Sequence, residues 1–431
     1  MTELRRVRID RHGLIFQTAR GQMERIFIPR AKISSLKADT PAYLRNMCSD
    51  HPQLKQMFDP HYNLAARVSI ADQEVECLSQ PLRVFYSIEP RCNLTCSFCA
   101  PRDLHNDFTP GSPEMEEFLL KQIANSGSFQ VQLTGGEIFI RGRQLFPVLQ
   151  RTDELGLATM LATNGVWHAI KDKKSFVREL AEFKHIIEIK VSIDGDPSFH
   201  DSVRGSGNYA EAKSTLVALA GTGIPTRINT TIFKASCKTE QIEHLANLAK
   251  EVNSGLQVIP VRESGRAKCM SQLEVPGAEE LYRYTMRAKE LREKLGVRIS
   301  FNFDIFGGGK LLPHYDPDRP FSCSAGLWGF GVNHTGETNP CGFAIEAGEP
   351  GTFMCGVITP QTSLLDIWLN SPVLWKWRNA GKSEECRTCS DYLSTCWGGC
   401  MVQAYLTHGK LNAPDPYCLR GFKKRNSGHD S

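Results

Sequence analysis

The sequence lacks several features that would assign the protein to a broad class at once. Its 431 residues contain no run of about 18 apolar residues, the length that a membrane-spanning helix needs. The polar first residues do not resemble a secretory signal peptide. Neither sign of charge dominates, because 51 Lys and Arg stand against 47 Asp and Glu, so no broad nucleic-acid-binding surface is indicated. We therefore expect a cytoplasmic, monomeric globular protein that binds neither a membrane nor a nucleic acid.

Cysteine, by contrast, is abundant and strongly grouped. Of the 15 cysteines, three stand together at Cys92, Cys96 and Cys99, and eight more lie between Cys323 and Cys418. The remaining four are isolated: Cys48, Cys77, Cys237 and Cys269. Disulfides are rare in reducing compartments, and buried structural thiols would not gather in this way. The grouping predicts two separate metal-binding regions.

The middle of the chain alternates between β-rich apolar runs and helical segments. Strands are predicted at 83–88, 129–133, 158–162, 186–193, 226–232 and 256–261. Helices are predicted at 113–123, 143–155, 175–183, 209–220 and 240–252, with a further one at 276–296. This alternation requires right-handed crossovers and a parallel sheet. A partial (β/α)6 TIM-like barrel and an open doubly wound sheet both fit the pattern.

Three domains are expected along the chain. Residues 1–82 are predicted to form a small N-terminal α+β domain, with strands at 6–16 and 25–29 and helices at 41–48 and 53–58. Residues 83–305 hold the alternating α/β pattern, and residues 306–431 comprise a linker and the cysteine-rich end. The first domain carries no chemical signature of its own.

The first cysteine group has the form C-x3-C-x2-C and directly follows the first strand of the α/β region. Three thiolates on one loop can bind an iron–sulfur cluster and leave one iron open, whereas a zinc site would need a fourth ligand nearby. The segment resembles the motif of the radical S-adenosylmethionine (SAM) family, in which an aromatic residue, here Phe98, precedes the last cysteine. This resemblance covers about residues 83–270. It implies that Cys92, Cys96 and Cys99 hold a [4Fe–4S] cluster on which SAM is cleaved to methionine and a 5′-deoxyadenosyl radical.

Further motifs of the same family follow in order, each at the carboxyl end of a predicted strand. They are the segment 134–137 (TGGE), the segment 192–195 (SIDG) with 200–205 (HDSVRG), and the segment 265–267. Ligands bind at this end of parallel strands, so the placement favours the partial barrel over the open sheet. By resemblance, the residues that contact SAM are Gly135, Gly136, Glu137, Ser192, Asp194, Arg204 and Asn229. Glu137 would hold the amino group and Arg204 the carboxylate, while Asp194 could instead cap its loop.

The second cysteine region resembles the SPASM domain, an extension found on many radical SAM enzymes that modify peptides. It reads C-x12-G-x4-C from Cys323 to Cys341, and later C-x2-C-x6-C-x3-C followed by Cys418. One spacing is six residues where the family usually has five. The resemblance implies two auxiliary [4Fe–4S] clusters, one on Cys386, Cys389, Cys396 and Cys418, and the other on Cys323, Cys341 and Cys400. Cys355 is a candidate fourth ligand of the latter cluster, and a zinc ribbon is the alternative for the whole region.

These resemblances imply an enzyme that oxidatively modifies a ribosomally made peptide or protein, by crosslinking, thioether formation or dehydrogenation. Its expected partners are that substrate and an electron donor of the flavodoxin or ferredoxin type. Alternatives are a formylglycine-forming sulfatase maturase, a dehydrogenase of a small carbohydrate or cyclitol, a peptide epimerase, and a non-enzymatic iron–sulfur electron carrier. A maturase of the sulfatase type has Asp directly after a cluster cysteine, whereas here Gly342 follows Cys341.

Overall fold

A computed structural model describes eleven segments of the chain. They are residues 4–10, 13–18, 23–26, 68–70, 80–99, 109–262, 264–269, 276–301, 324–345, 351–389 and 398–418.

The N-terminal region contains a separate four-stranded sheet. Its strands are β1 (Leu4–Asp10), β2 (Gly13–Thr18), β3 (Met23–Ile26) and β4 (Val68–Ile70), in the order β3-β2-β1-β4. The single strand predicted at 6–16 is wrong, because two antiparallel strands, β1 and β2, pair up to Asp10 and Gly13. Asp and Gly are common turn residues, which explains the break. The helices predicted at 41–48 and 53–58 lie outside the described residues.

Six parallel strands form the barrel sheet, and each confirms a predicted one to within two residues. They are β5 (Arg83–Glu89), β6 (Gln130–Gly135), β7 (Ala158–Thr163), β8 (Ile186–Ser192), β9 (Thr226–Ile232) and β10 (Gly255–Pro260). Neighbours in the chain are neighbours in the sheet, as repeated β/α units require. All carboxyl ends therefore lie at one rim, which we call the barrel mouth.

Helices cover the outer face of this sheet. They are α1 (Pro113–Asn125), α2 (Phe146–Glu154), α3 (Lys173–Leu180), α4 (Pro197–Arg204), α5 (Asn208–Ala220), α6 (Thr239–Glu251) and α7 (Ala278–Leu295). Their apolar sides join the outward-facing strand residues in one large core. Within that core Phe139 stacks on Trp167, with ring centroids 4.2 Å apart. The helix α4 was not predicted, and it supplies a site residue described below.

Charged residues on the inner face show that the sheet is curved. Strands β5 and β9 stand four positions apart, which would separate them by about 19 Å in a flat sheet. The Arg83 guanidinium on β5 nevertheless lies close enough to Glu188 on β8 and Arg227 on β9 for their charges to act on its pKa. The sheet therefore bends into the partial (β/α)6 barrel that the motif order favoured.

The C-terminal part of the chain extends the same sheet on both sides. Strand β11 (Ile299–Phe301) pairs with β10, while β12 (Gly329–Asn333) pairs in parallel with β5. Strands β13 (Glu337–Asn339) and β14 (Gly356–Val357) then continue antiparallel. Short helices complete this part: α8 (Gly342–Ile345), α9 (Leu364–Asn370), α10 (Pro372–Asn379), α11 (Glu384–Arg387) and α12 (Met401–His408). None of the helices in the described segments has both the length and the apolar character needed to cross a membrane.

Candidate active site

The three cysteines of the first group lie together at the barrel mouth. Cys92, Cys96 and Cys99 follow β5 and pack in one small cluster with Leu94 and Val166. Burial raises the pKa of the Cys92 thiol to about 11 and also raises the pKa of Cys96. Since iron binding requires thiolates, assembly of a cluster here must release protons.

The surroundings of these thiols fit a negatively charged, thiolate-bound cluster. The backbone N–H of Leu94 donates to Cys92 Sγ over 3.4 Å, and Asn164 Nδ2 lies 3.7 Å from the same sulfur. The Arg204 guanidinium acts against the raised pKa of Cys96, because it favours the thiolate. Donors and cations around sulfur are the groups that stabilise an iron–sulfur cluster. In the described segments, no three His, Cys, Asp or Glu side chains converge on a single metal ion.

The two glycines after β6 pack directly against the backbone of the cluster loop and do not border an empty space. A Cβ atom on Gly135 would come within 2.1 Å of the Glu89 carbonyl oxygen, and one on Gly136 within 2.2 Å of the Arg91 carbonyl oxygen. Gly136 N donates to Glu89 O over 2.7 Å, and Glu137 N donates to Arg91 O over 2.9 Å. Glycine is therefore needed at both positions so that the end of β6 can contact the backbone that precedes Cys92.

The Glu137 carboxylate is fully buried and accepts its hydrogen bonds from the protein. Oε1 accepts from Phe139 N at 3.0 Å and from Thr163 Oγ1 at 2.8 Å, while Oε2 accepts from Asn164 N at 2.5 Å. Burial raises the pKa of Glu137 to about 7 despite these donors. The carboxylate thus ties the end of β6 to the end of β7. The predicted contact between this side chain and the SAM amino group stays a prediction.

Arg204 reaches the barrel mouth from the last turn of α4, which Asp196 caps and Pro197 begins. Its Nε donates to Asp194 Oδ2 at 2.5 Å, and its guanidinium lies 5.1 Å from the centre of the Phe98 ring. Burial opposes the charge on Arg204, but Asp194 and the neighbouring thiols raise its pKa above the ordinary value. The arginine therefore remains charged beside the cluster loop. Its terminal nitrogens are the atoms suited to a ligand carboxylate.

Asp194 is committed to positioning Arg204. The carboxylate is fully buried, and its Oδ1 accepts from Thr231 N at 2.7 Å while Oδ2 accepts from Arg204. Of the two roles considered for Asp194, these contacts favour the structural one. Direct contact of Asp194 with SAM stays a prediction.

Ser192 and Asn229 lie side by side on the inner face near the mouth. They are paired positions of β8 and β9. Asn229 Oδ1 is buried and has no hydrogen-bond partner among the described residues. Because buried polar atoms are rarely left without a partner, this oxygen indicates that a ligand donor belongs there. The position agrees with the predicted SAM contact of Asn229.

A cation links the barrel mouth to the second cysteine region. Arg262, two residues beyond β10, lies 3.7 Å from the centre of the Phe343 ring and 3.9 Å, through Nη2, from Cys400 Sγ. Burial disfavours the Arg262 charge, yet Cys400 and Cys341 raise its pKa. The segment around α8 thus spans the gap between β10 and β5. Two predicted ligands of an auxiliary cluster thereby face the mouth.

The remaining cysteines of this region differ in their surroundings. Cys386 and Cys389 are half-buried at α11, and Cys418 is exposed. Cys323 and Cys396 lie outside the described residues. Cys355 is buried in the main core, donates to the Phe353 carbonyl over 3.5 Å and has a pKa raised by burial to about 12. Cys341 and Cys400 pack in a different cluster of side chains, and the role of Cys355 as a fourth ligand stays a prediction.

Sequence reasoning missed three residues that the structure brings to the mouth. Arg262 and Asn164 contact predicted ligands, and Arg266 N donates to the Cys99 carbonyl over 3.1 Å. Arg266 lies in the 265–267 segment that was noted, but its partner was not foreseen. Asn164 directly follows β7, and Arg262 and Arg266 lie in the segment after β10, so the rule that ligands bind at the carboxyl ends of strands could have identified them.

Comparison with known proteins agrees with this geometry. Residues 86–250 match the profile of the Radical SAM superfamily. Mycofactocin maturase MftC of Mycobacterium ulcerans (strain Agy99) is 24% identical over 348 residues, which span 80% of this chain and 89% of that protein. PqqA peptide cyclase of Xanthomonas axonopodis pv. citri (strain 306) is 27% identical over 352 residues, which span 79% and 88%.

Solved structures show the same fold. Streptococcus suis SuiB bound to its precursor peptide SuiA has a TM-score of 0.72 at 19% identity, covering 95% of this chain and 97% of that one. The anSMEcpe protein with bound AdoMet has a TM-score of 0.62 at 18% identity, covering 80% and 95%. The matched residues 86–250 include the three cysteines at the mouth, so this region of the chain is similar to a radical SAM domain, which implies SAM and a [4Fe–4S] cluster as cofactors.

Proposed function

We propose that this enzyme oxidatively modifies a ribosomally made peptide, by crosslinking, thioether formation or dehydrogenation, and that two auxiliary [4Fe–4S] clusters assist it. The observation that carries the oxidative part is the position of Arg262 at the barrel mouth, where its Nη2 lies 3.9 Å from Cys400 Sγ and Cys341 also raises its pKa. A cluster at these thiols would lie beside the space for the substrate and could accept an electron from the substrate. The peptide part rests on relatives named as a maturase and a peptide cyclase.

The chain's own residues divide the work at the mouth. Cys92, Cys96 and Cys99 would hold the cluster that SAM binds, and this cofactor pair supplies a 5′-deoxyadenosyl radical. Arg204, positioned by Asp194, would pair with the SAM carboxylate through its terminal nitrogens. Asn229 Oδ1, buried without a partner in the described segments, would accept a hydrogen bond from the ligand, and Ser192 lies next to it. Glu137 orders the loops around this space through its three hydrogen bonds.

For the auxiliary clusters we propose the ligand sets that the SPASM resemblance implies. Cys386, Cys389, Cys396 and Cys418 would hold one cluster, while Cys323, Cys341 and Cys400 would hold the other. The Asp415 carboxylate supports this arrangement, because it accepts from Cys400 N at 2.6 Å and from Tyr417 N at 2.9 Å. It thereby ties the residues next to Cys418 to the loop of Cys400.

The remaining parts of the proposal concern partners and domains. The N-terminal domain, residues 1–82, would bind the leader of the peptide, since β3 and β4 are the edge strands of the described sheet and an edge strand can pair with an extended peptide. Residues 83–305 and 306–431 would be the radical SAM barrel and the linker with the SPASM domain. A flavodoxin or ferredoxin in the cytoplasm would supply electrons to a monomeric enzyme, because thiolate-bound clusters need a reducing compartment.

Two alternative reactions find less support in the structure. Formylglycine formation of the sulfatase type uses an Asp after the cluster cysteine, whereas a Cβ atom on Gly342 would already lie 3.1 Å from Phe85 Cβ. Epimerisation needs a thiol hydrogen donor near the substrate. Cys237 and Cys355, two candidates for it, are both buried in the apolar core, and burial raises the pKa of each to about 12.

The proposal is tested with the reconstituted enzyme, SAM, a reductant and a candidate substrate peptide, chosen from short reading frames found next to the gene. We expect 5′-deoxyadenosine and a peptide lighter by about 2 Da, because oxidative bond formation removes two hydrogens. The triple variant Cys92→Ala, Cys96→Ala, Cys99→Ala should form neither product. A peptide whose mass is unchanged in H2O, but rises in D2O through one carbon-bound deuterium, would instead indicate epimerisation and would contradict the oxidative proposal.

A further inference from the structure

The inner face of the barrel carries charged residues that no SAM-binding role explains. Arg83, Glu188, Lys190 and Arg227 come from β5, β8 and β9 and meet inside the curved sheet. We call them the inner charge cluster. Arg227 Nη2 lies 2.6 Å from Glu188 Oε1, and Lys190 Nζ lies 3.8 Å from Glu188 Oε2.

This cluster contains more positive than negative charge. Arg227 balances the Glu188 carboxylate. Arg83 donates through Nε and Nη2 to the neutral Gln130 side chain, at 2.8 and 2.6 Å, and its guanidinium lies 5.5 Å from the centre of the Trp328 ring. Lys190 Nζ donates to the neutral Gln132 side chain over 2.8 Å. Two cations, Arg83 and Lys190, thus lie inside the barrel without a full counter-charge among the described residues. Burying such charge is costly unless an anion joins it.

Lys190 is the member of the inner charge cluster whose N–H donors can bind a ligand. Its side chain is 10% exposed, and its ammonium group carries three N–H donors, of which Gln132 takes one. Burial lowers the pKa of Lys190 to about 7, with Arg83 and Arg227 adding to the effect and Glu188 opposing it. An anion at Nζ would restore the charged state, because an opposite charge raises the pKa of an amine.

The inner charge cluster lies directly below the residues that are predicted to contact SAM. Lys190 lies two residues before Ser192 on the same strand and face, which places it about 7 Å below the predicted SAM contacts. A substrate group beneath the SAM ribose would thus have its far end at Lys190. We propose that Lys190, with Arg227 and Arg83 behind it, forms a subsite for a carboxylate of the substrate. This inference rests on the peptide function proposed above.

The carboxylate has two sources in a peptide, an Asp or Glu side chain and the C-terminus. The first experiment measures dissociation constants of the peptide for the wild type and for Lys190→Met. Peptides in which each carboxylate is neutralised separately, by Asp→Asn, Glu→Gln or C-terminal amidation, identify the source. Loss of a charged hydrogen bond should weaken binding about tenfold or more. Lys190→Arg should bind within a few-fold of the wild type, and Lys184→Met, which removes an exposed lysine just before β8, serves as the matched control.

We expect one neutralised peptide to bind the wild type about tenfold more weakly than the unmodified peptide does. The same two peptides should bind Lys190→Met with equal affinity, since that variant lacks the lysine that pairs with the carboxylate. If every neutralised peptide loses the same affinity for both proteins, Lys190 contacts no substrate carboxylate and the subsite is overturned.

A second experiment does not need a peptide. Sodium acetate should raise the melting temperature of the reconstituted wild type by more than that of Lys190→Met, while acetamide should affect neither. Equal acetate shifts in both proteins, or stabilisation by methylammonium instead, would overturn the subsite. If the wild type leaves all peptides unchanged, the proposed function fails and the acetate comparison alone decides the subsite.

Discussion

Glu137 and Asp194 are fully buried carboxylates at the barrel mouth, and each one joins two elements. Glu137 accepts hydrogen bonds from residues that follow β6 and β7, while Asp194 joins Arg204 to the backbone of β9. A buried carboxylate is stable only when its oxygens have donors. Both side chains therefore act on the ligand space mainly by fixing its walls.

This role predicts the behaviour of Glu137→Gln. The new amide NH2 must face an N–H donor, either that of Asn164 or that of Phe139, so one buried hydrogen bond becomes a donor–donor conflict. The free energy of unfolding should fall by about 1–3 kcal/mol, which anaerobic denaturant titration can measure. The exposed Glu182→Gln change is the control. Unchanged stability with a weaker SAM affinity would show instead that the Glu137 carboxylate contacts SAM directly.

At the scale of elements, the end of β10 is the joint between the barrel and the cysteine-rich segment. Arg262 contacts Phe343 and Cys400, and the Tyr417 hydroxyl donates to the Val261 carbonyl. Segments that are far apart in the chain therefore meet within two residues of β10. This joint sets the position of Cys400 and Cys341 relative to the mouth.

Removing the charge at this joint should change the electron affinity of the neighbouring auxiliary cluster. In Arg262→Gln, a positive charge near thiolate-bound iron is lost, so the reduction potential should fall by on the order of 100 mV at an effective dielectric constant near 20. Arg262→Lys retains the charge and should stay closer to the wild-type potential. An EPR-monitored redox titration, in a background lacking Cys92, Cys96 and Cys99, isolates the auxiliary clusters. A potential that is the same in all three proteins would place the cluster away from Arg262.

The sequence predicts the barrel well because its strands are apolar runs and two of its helices, α1 and α3, begin at the capping side chains of Ser112 and Asp172. Helix α4 was missed although Asp196 and Pro197 begin it, because eight residues between two motifs show little periodicity. Strand β12 was missed because two of its five residues are glycines, which are unfavourable in strands. The helix predicted from 143 begins later, since a 3₁₀ helix (Ile138–Leu145) with a positive φ at Gly142 comes first.

For the candidate site, the sequence indicates the cysteines and the strand ends but not their partners. Glu137 accepts hydrogen bonds from Thr163 and Asn164, which lie 26 and 27 residues away from it in the sequence. The inner charge cluster is hidden for the same reason, because Lys190 and Arg83 meet only when the sheet curves. Alternation within a strand tells which residues share a face, but it does not tell how strongly the sheet bends.

At the scale of the whole molecule, one barrel mouth brings together the two cysteine regions. The first region follows β5, and the second spans from β10 to β5 through α8. The inner charge cluster lies below both. The order from mouth to interior is therefore cluster loop, predicted SAM contacts and proposed carboxylate subsite.

This arrangement predicts the iron content of the reconstituted protein. The wild type should hold about 12 iron atoms per chain, because three cubes contain four each. The triple variant Cys92→Ala, Cys96→Ala, Cys99→Ala should hold about 8 and form no 5′-deoxyadenosine, since only the auxiliary clusters remain. Replacing Cys386 and Cys389 should also leave about 8 iron atoms, but it should spare SAM cleavage.

Cys355→Ala is the matched control for these variants, because it removes a buried thiol that already has a protein acceptor in the main core. We expect it to keep about 12 iron atoms per chain, and a loss of about 4 would make Cys355 a cluster ligand. A wild type that binds only about 4 iron atoms would contradict both auxiliary clusters. Such a result would leave Arg262 beside uncoordinated thiols, and the oxidative step would then need another electron acceptor.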